Sequence, residues 1–291
     1  MSRMPQSDDP IRGIALSLLA TVLFSVADVT SKYLSAGMPI IEIAWIRYVI
    51  FLGMAALLVR QVPRGALWPR SPLLQIARAC CLVGSAVLFV FGVRHMTMAQ
   101  ATTISFLSPL LITLLSIPLL GEVVGVRRWA AVIAGLIGVL VVVRPGSAGF
   151  EPAALYGLAS STCWSLALII TRKMAGSDHP STTVLWSAAV GLAILTVLLP
   201  FEVIWPTAAQ WALAIMFGVL ASLGQWVTVL AHQYAPASLL APFAYFQLPC
   251  VTLGGYLVFT HVPDAWTLAG AAIIITSGLY TAHRERLRAR A

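Results

Sequence analysis

Charge is scarce in this sequence. Its 291 residues include 18 Lys or Arg and 10 Asp or Glu, against 59% hydrophobic residues. A soluble domain carries about 25% charged residues, so a water-soluble globular fold is excluded. Cysteine is scarce as well. Cys80, Cys81, Cys163 and Cys250 all lie in apolar stretches, with no CxxC and no metal-ligand spacing. That pattern predicts buried free thiols and no metal site. The histidines are scattered, and HExxH, the GK[ST] phosphate loop and GxSxG are absent. A membrane enzyme or a nucleotide-driven pump would need such clusters. No filter motif or charged ring points to a channel. No cofactor is expected.

What the chain does have is apolar residues in blocks. Ten runs stand out, at 13–33, 40–59, 74–93, 97–120, 129–143, 154–172, 182–200, 209–231, 237–259 and 266–283. Crossing a bilayer as a helix takes roughly 20 such residues. The period-two alternation of membrane β-barrels is missing. The expectation is an all-α membrane protein with ten transmembrane helices. Residues 13–27, after Arg12, also fit a cleavable signal segment, a reading that the repeat described below argues against.

Cationic side chains sort by connection. With the N-terminus inside, the inner side holds Arg3, Arg12, Arg60, Arg64, Arg70, Arg127, Arg128, Arg172, Lys173 and the tail arginines, whereas the outer side holds Lys32, Arg94 and Arg144. The positive-inside rule then places both termini in the cytoplasm of a multi-pass inner-membrane protein. The net charge of +8 and the tail "HRERLRARA" suit anionic inner-leaflet lipid rather than nucleic acid.

Sliding the sequence by 140 residues aligns "FSVADVTSKYL" (24–34) with "WSLALIITRKM" (164–174), and Gly84, Ala101, Phe106 and Pro109 with Gly224, Ala241, Phe246 and Pro249. Each unit has five helices. Five is odd, so the second unit runs through the membrane upside down, the arrangement characteristic of secondary transporters. The expected division is a cytoplasmic N-terminus (1–12), a first repeat (13–143), a connector (144–153), a second repeat (154–283) and a basic cytoplasmic tail (284–291).

These landmarks carry a family resemblance. Lys32 ends helix 1, Arg47 lies inside helix 2, Pro109 lies within helix 4, and "LGE" (120–122) precedes a fifth helix bearing Gly135 and Gly138. The second copy keeps Pro249, Gly270 and Gly278, but "FTHVPD" (259–264) puts His261 where the acid of the "GE" would fall. Over nearly its whole length the chain resembles EamA-type members of the drug/metabolite transporter superfamily, such as bacterial exporters of aromatic amino acids. Members export amino acids, sugars or drug-like metabolites, or take up nucleotide-like compounds. The resemblance implies a transporter and not an enzyme.

Charged residues inside the runs need partners. Thr21, Ser25, Asp28 and Lys32 share one helical face. Asp28 and Lys32 have the favourable i, i+4 acid–base order, and read as a gate or cavity pair. Arg47 follows Pro39 by eight residues, roughly 12 Å into the membrane. Unpaired there, it costs at least ~2.5–3.5 kcal/mol. An ion pair with Asp28 or Glu42 is expected, with binding of a substrate carboxylate as the alternative. Arg78, one turn inside helix 3, reads as a solvated end charge and is kept as a substrate-binding candidate.

The candidate substrate-binding set is Phe24, Ser25, Arg78, Ser85, Phe106, Trp164, Gln225, Trp226, Tyr245, Phe246 and Gln247. Aromatic rings with a few directional polar groups suit a planar or apolar solute. Pro109 and Pro249 are expected to kink helices 4 and 9 and to act as hinges. The expected function is export of amino acids, including hydrophobic and aromatic ones, by alternating access. The alternative is uptake of a nucleotide-like or vitamin metabolite. The expected partners are a small-molecule substrate and membrane lipid, in a monomer or homodimer. A reporter fused after Arg290 is expected to register as cytoplasmic; a periplasmic signal would contradict the parity argument.

Overall fold

The structure, a computed structural model, describes residues 9–59, 68–121, 126–146, 151–174, 180–201, 203–235 and 237–290. Glu122 of the "LGE" motif, Arg60, Arg64 and His179 lie outside them. Among the described residues no strand occurs. The helices are α1 (Pro10–Ser35), α2 (Ile40–Val59), α3 (Pro72–His95), α4 (Met98–Ser105), α5 (Ser108–Leu120), α6 (Val126–Val143), α7 (Ala154–Lys173), α8 (Pro180–Leu198), α9 (Ala208–Tyr234), α10 (Ala237–Ala244), α11 (Gln247–Phe259) and α12 (Ala265–Arg290). Seven helical stretches are long and apolar enough to cross a membrane, and three more are apolar but shorter. The expected tail at 284–291 continues α12 as helix through Arg290.

Two expected helices are each two pieces. Run 97–120 divides into α4 and α5, and run 237–259 into α10 and α11. Pro109 and Pro249 therefore do not kink helix interiors; they stand in the first turn of α5 and α11. A proline has no N–H to donate, and the first turn is where that loss is harmless. Phe106, Leu107 and Phe246 keep α-region dihedrals, so each break is a tight turn between two helical pieces. The Ser105 carbonyl, left without the Pro109 donor, accepts the Ser108 hydroxyl at 2.7 Å. The Tyr245 carbonyl accepts the Leu248 N–H at 3.1 Å. Both second pieces stop on a left-handed residue, Gly121 (φ 69°) and Thr260 (φ 57°). Glycine takes that conformation freely and threonine does not.

Helix packing is reciprocal between the halves. α1 lies along α9 while α3 lies along α7; α2 packs on α8 and α6 on α12; α5 meets α7 while α11 meets α1. The matched glycines do matched work. Gly84 of α3 lets the Cys163 sulfur of α7 approach, and Gly224 of α9 lets the Phe24 ring of α1 approach. The main core, around Val93, Ile104, Leu107, Leu110, Val251 and Ile274, lies where both broken helices meet α6 and α12.

At the end of the bundle opposite both termini, Arg144 after α6 holds Asp264 before α12 at 2.5 Å. Burial raises the Asp264 carboxyl, yet the Thr267 side chain and N–H and the Arg144 guanidinium together hold it below the usual carboxylate range. α6 and α12 cross backbone to backbone. A Cβ on Gly270 would meet the Gly138 carbonyl oxygen at 2.6 Å and Val142 at 2.4 Å. Gly270→Ala should therefore destabilise the fold by about 1–3 kcal/mol, read as a lower melting temperature in detergent. Gly53→Ala, which meets nothing within 4 Å, is the control expected to be neutral or stabilising.

Candidate functional site

The two helix breaks face each other. Phe106, in the first break, meets Tyr245, in the second, edge to face with centroids 5.0 Å apart. The Tyr245 hydroxyl lies only 1.7 Å from where a Gly278 Cβ would stand, so α12 carries glycine there. The α7 serines serve the first break: Ser161 and Ser165 donate to the Ile104 and Ser108 carbonyls, each at 3.2 Å. The α1 residues serve the second. Ser25 hydrogen-bonds the Cys250 thiol, and Asp28 accepts from Gln247 Nε2 at 2.9 Å. Ser25 and Ser165, matched across the repeat, are both buried against the broken helix beside them.

The expected charge pairs are not formed. Among the described residues the one salt bridge is Arg144–Asp264. Arg47 instead sits over the Phe217 ring at 5.6 Å; Asp28 acts on it through space only. Asp28 turns to α11, because Gln247 on the neighbouring helix offers a neutral donor at contact distance. Lys32 does not pair with Asp28 either. It is buried and donates to the Met96 carbonyl that ends α3, with its ammonium 5.2 Å from the Phe259 centroid. A carbonyl and a ring face replace the carboxylate. Glu42 is buried with the Ile204 N–H as its donor, and its Oε2 makes no hydrogen bond.

Arg78 is not a solvated end charge. It is half-buried and spans three helices, donating to Thr171 at 2.6 Å, to the Thr183 carbonyl at 3.4 Å and to Ser187. Ser85 joins α3 to α7: its carbonyl accepts the Ser160 hydroxyl at 2.8 Å. Tyr48, next to Arg47 and buried against Val83 of α3 and the Gly191 position of α8, was missed by sequence reasoning. Adjacency to an intramembrane arginine was the only signal it gave.

The aromatic candidates divide. Trp164 lies on α7 between the directions of Ser160, which faces α3, and Ser161, which faces α4, yet is 38% exposed. Trp226 continues the exposed stripe Val219–Leu223 on the face of α9 away from α1, so it belongs to the outer surface. Phe246 shares the exposed face of α11 with Leu253 and Leu257 and is likewise directed outward. Gln225, a substrate-binding candidate, is exposed and makes no hydrogen bond to a described residue. Spacing alone gave these helices two possible faces, and packing chose between them.

Both halves match one family model, the EamA-like transporter family, over residues 11–144 and 151–281. The chain belongs to this family. Among its relatives are a S-adenosylmethionine uptake transporter of Rickettsia prowazekii, 28% identical over 95% of this chain and 94% of the relative, and a riboflavin transporter of Rhizobium johnstonii, 28% identical over 100% and 98%. The pseudopaline exporter CntI of Pseudomonas aeruginosa is 27% identical over 91% and 94%. A solved structure shares the fold, with a TM-score of 0.65, 21% identity, and coverage of 94% of this EamA-family chain and 98% of the other.

If Asp28 and Gln247 sustain each other across the α1–α11 contact, Gln247→Leu should destabilise by about 1–3 kcal/mol by stranding a carboxylate. The double variant with Asp28→Leu should recover much of that loss. Additive losses in a thermal double-mutant cycle would show that the two are not coupled.

Proposed function

We propose that this EamA-family chain is a secondary transporter of a small organic metabolite, working by alternating access between two inverted five-helix repeats. The observation that carries this reading is the meeting of the two matched breaks, Phe106 against Tyr245. Broken helices facing each other near mid-membrane expose backbone and pockets to a solute while remaining inside protein. The reciprocal packing of the halves supports it, since two units with interchangeable contacts can swap conformations. Ten crossings, cytoplasmic termini and an inner-membrane location belong to the same reading.

Asp28, Lys32 and Glu42 are assigned to gating in this reading. Lys32 closes the end opposite the termini by holding Met96 and Phe259. Its repeat partner Arg172 lies at the other end, where α7 finishes. The transported solute is read as a ring-bearing metabolite of the nucleotide-like or vitamin class, since relatives include transporters of S-adenosylmethionine and riboflavin. Amino-acid export is the second reading; an exporter, of pseudopaline, among the relatives supports the outward direction.

Counterflow in proteoliposomes, with S-adenosylmethionine, riboflavin and a set of amino acids, tests both. At least one solute should exchange and be recovered chemically unchanged. Chemical conversion of a solute, or exchange no faster than in empty vesicles for the whole panel, would contradict the proposal.

A further inference from the structure

Most helix contacts have a counterpart in the other half, yet three at one end do not. α1 meets α3, and α4 meets both α11 and α12. Exchanging the halves turns these into α7 on α9, α10 on α5 and α10 on α6. Among the described residues none of those three forms to a comparable extent. The three contacts that do form lie at the end opposite the termini, where α1, α3 and α11 finish and α4 and α12 begin. There Lys32 is 7% exposed, donating to the Met96 carbonyl with its ammonium 5.2 Å from the Phe259 centroid. Beside it, a Cβ on Gly255 of α11 would stand 3.4 Å from the Met98 Cβ of α4, and Met98 is 1% exposed. This end is shut.

The 140-residue offset places the counterparts at the end that holds the termini: Arg172 for Lys32, Ser238 for Met98, Leu115 for Gly255 and Leu119 for Phe259. Arg172 and Leu119 are exposed. The helix-to-helix pair nonetheless keeps its fit with the sizes exchanged. Large Met98 stands against Gly255, and at the counterpart positions small Ser238 on α10 answers large Leu115 on α5. Packing tolerates such a swap when total volume is conserved. The cation is kept, but the ring is not, so the attraction of a cation to a ring face is available at the Lys32 end alone. We propose that this structure is one of two states, shut at the Lys32 end and open toward the termini, and that the other state shuts on Arg172, Leu115, Leu119 and Ser238. This rests on the transporter reading above and names the residues of its second gate. Lacking the ring, the second gate is the weaker, so the state seen here is the resting one.

Paired cysteines test both gates in the full chain in phosphatidylcholine vesicles, with Cys80, Cys81, Cys163 and Cys250 replaced by Ala. A disulfide forms where two Cβ atoms come within about 3.5–4.5 Å. With copper phenanthroline as oxidant, Met98→Cys with Gly255→Cys should cross-link about tenfold faster than Leu115→Cys with Ser238→Cys. Lys32→Gln, which unties the first gate, should slow the first pair and speed the second. Equal rates, or a faster second pair, would overturn the assignment of the state. A second pair that never cross-links, with or without Lys32→Gln, would overturn the second gate. Labelling by an impermeant maleimide supplied on both sides needs no cross-link. The single variant Leu115→Cys should react about tenfold faster than Met98→Cys, and equal labelling would count against the proposal. Cross-linking as described without counterflow of any solute would leave the two states standing and sink the transporter reading instead.

Discussion

Hydrocarbon offers no hydrogen bonds, and the rest of this architecture follows from that. A helix broken at mid-membrane frees backbone carbonyls and N–H groups, each costly when left alone. The breaks at 106–107 and 245–246 therefore meet, Phe106 against Tyr245, although Phe246 itself points outward. Ser108 binds the Ser105 carbonyl, Ser161 and Ser165 from α7 bind the Ile104 and Ser108 carbonyls, and Ser25 and Asp28 from α1 engage Cys250 and Gln247. α1 and α7, the matched first helices of the two halves, act as polar supports for the broken helix of the second and first half respectively. Small residues elsewhere, such as Gly84, Gly138, Gly224 and Gly270, bring the remaining helices close enough to enclose them.

The same constraint sorts the cations. Lys32 ends on a helix-terminal carbonyl and a ring, and Arg78 on hydroxyls and a carbonyl. Neutral oxygens orient a cation while leaving its charge available. A direct carboxylate partner would stabilise the resting fold more and leave less for a solute. Asp28, which the helical order seemed to commit to Lys32, goes instead to an amide on α11. Acid and base on one helix are thereby assigned to different contacts across the bundle.

The family and most of the helices were legible in the sequence, because ten apolar runs and a 140-residue offset need only periodicity and composition to be seen. Pro109 and Pro249 were recognised as special, but they were read as kinks rather than helix starts. A proline forbids its own N–H bond whichever way the chain resolves it, and the neighbours decide between bending and breaking. Trp164 and Trp226 show a similar limit. Both are tryptophans at mid-helix, yet one lies between Ser160 and Ser161 and the other on a stripe with Val219 and Leu223. In water, an apolar residue marks the inside; in lipid, both faces of a helix are apolar, so hydrophobicity loses its directional information.

By itself, the sequence determined that this chain is helical, membrane-embedded, internally duplicated and related to EamA-like transporters. These properties depend on segment length, apolar content and repetition, which are local or additive along the chain. Only the tertiary structure decided that Arg47 meets Phe217 and not Asp28, and that Lys32 meets Met96. Such pairings join residues on different helices, and their choice depends on crossing angles and rotations that small glycine contacts set.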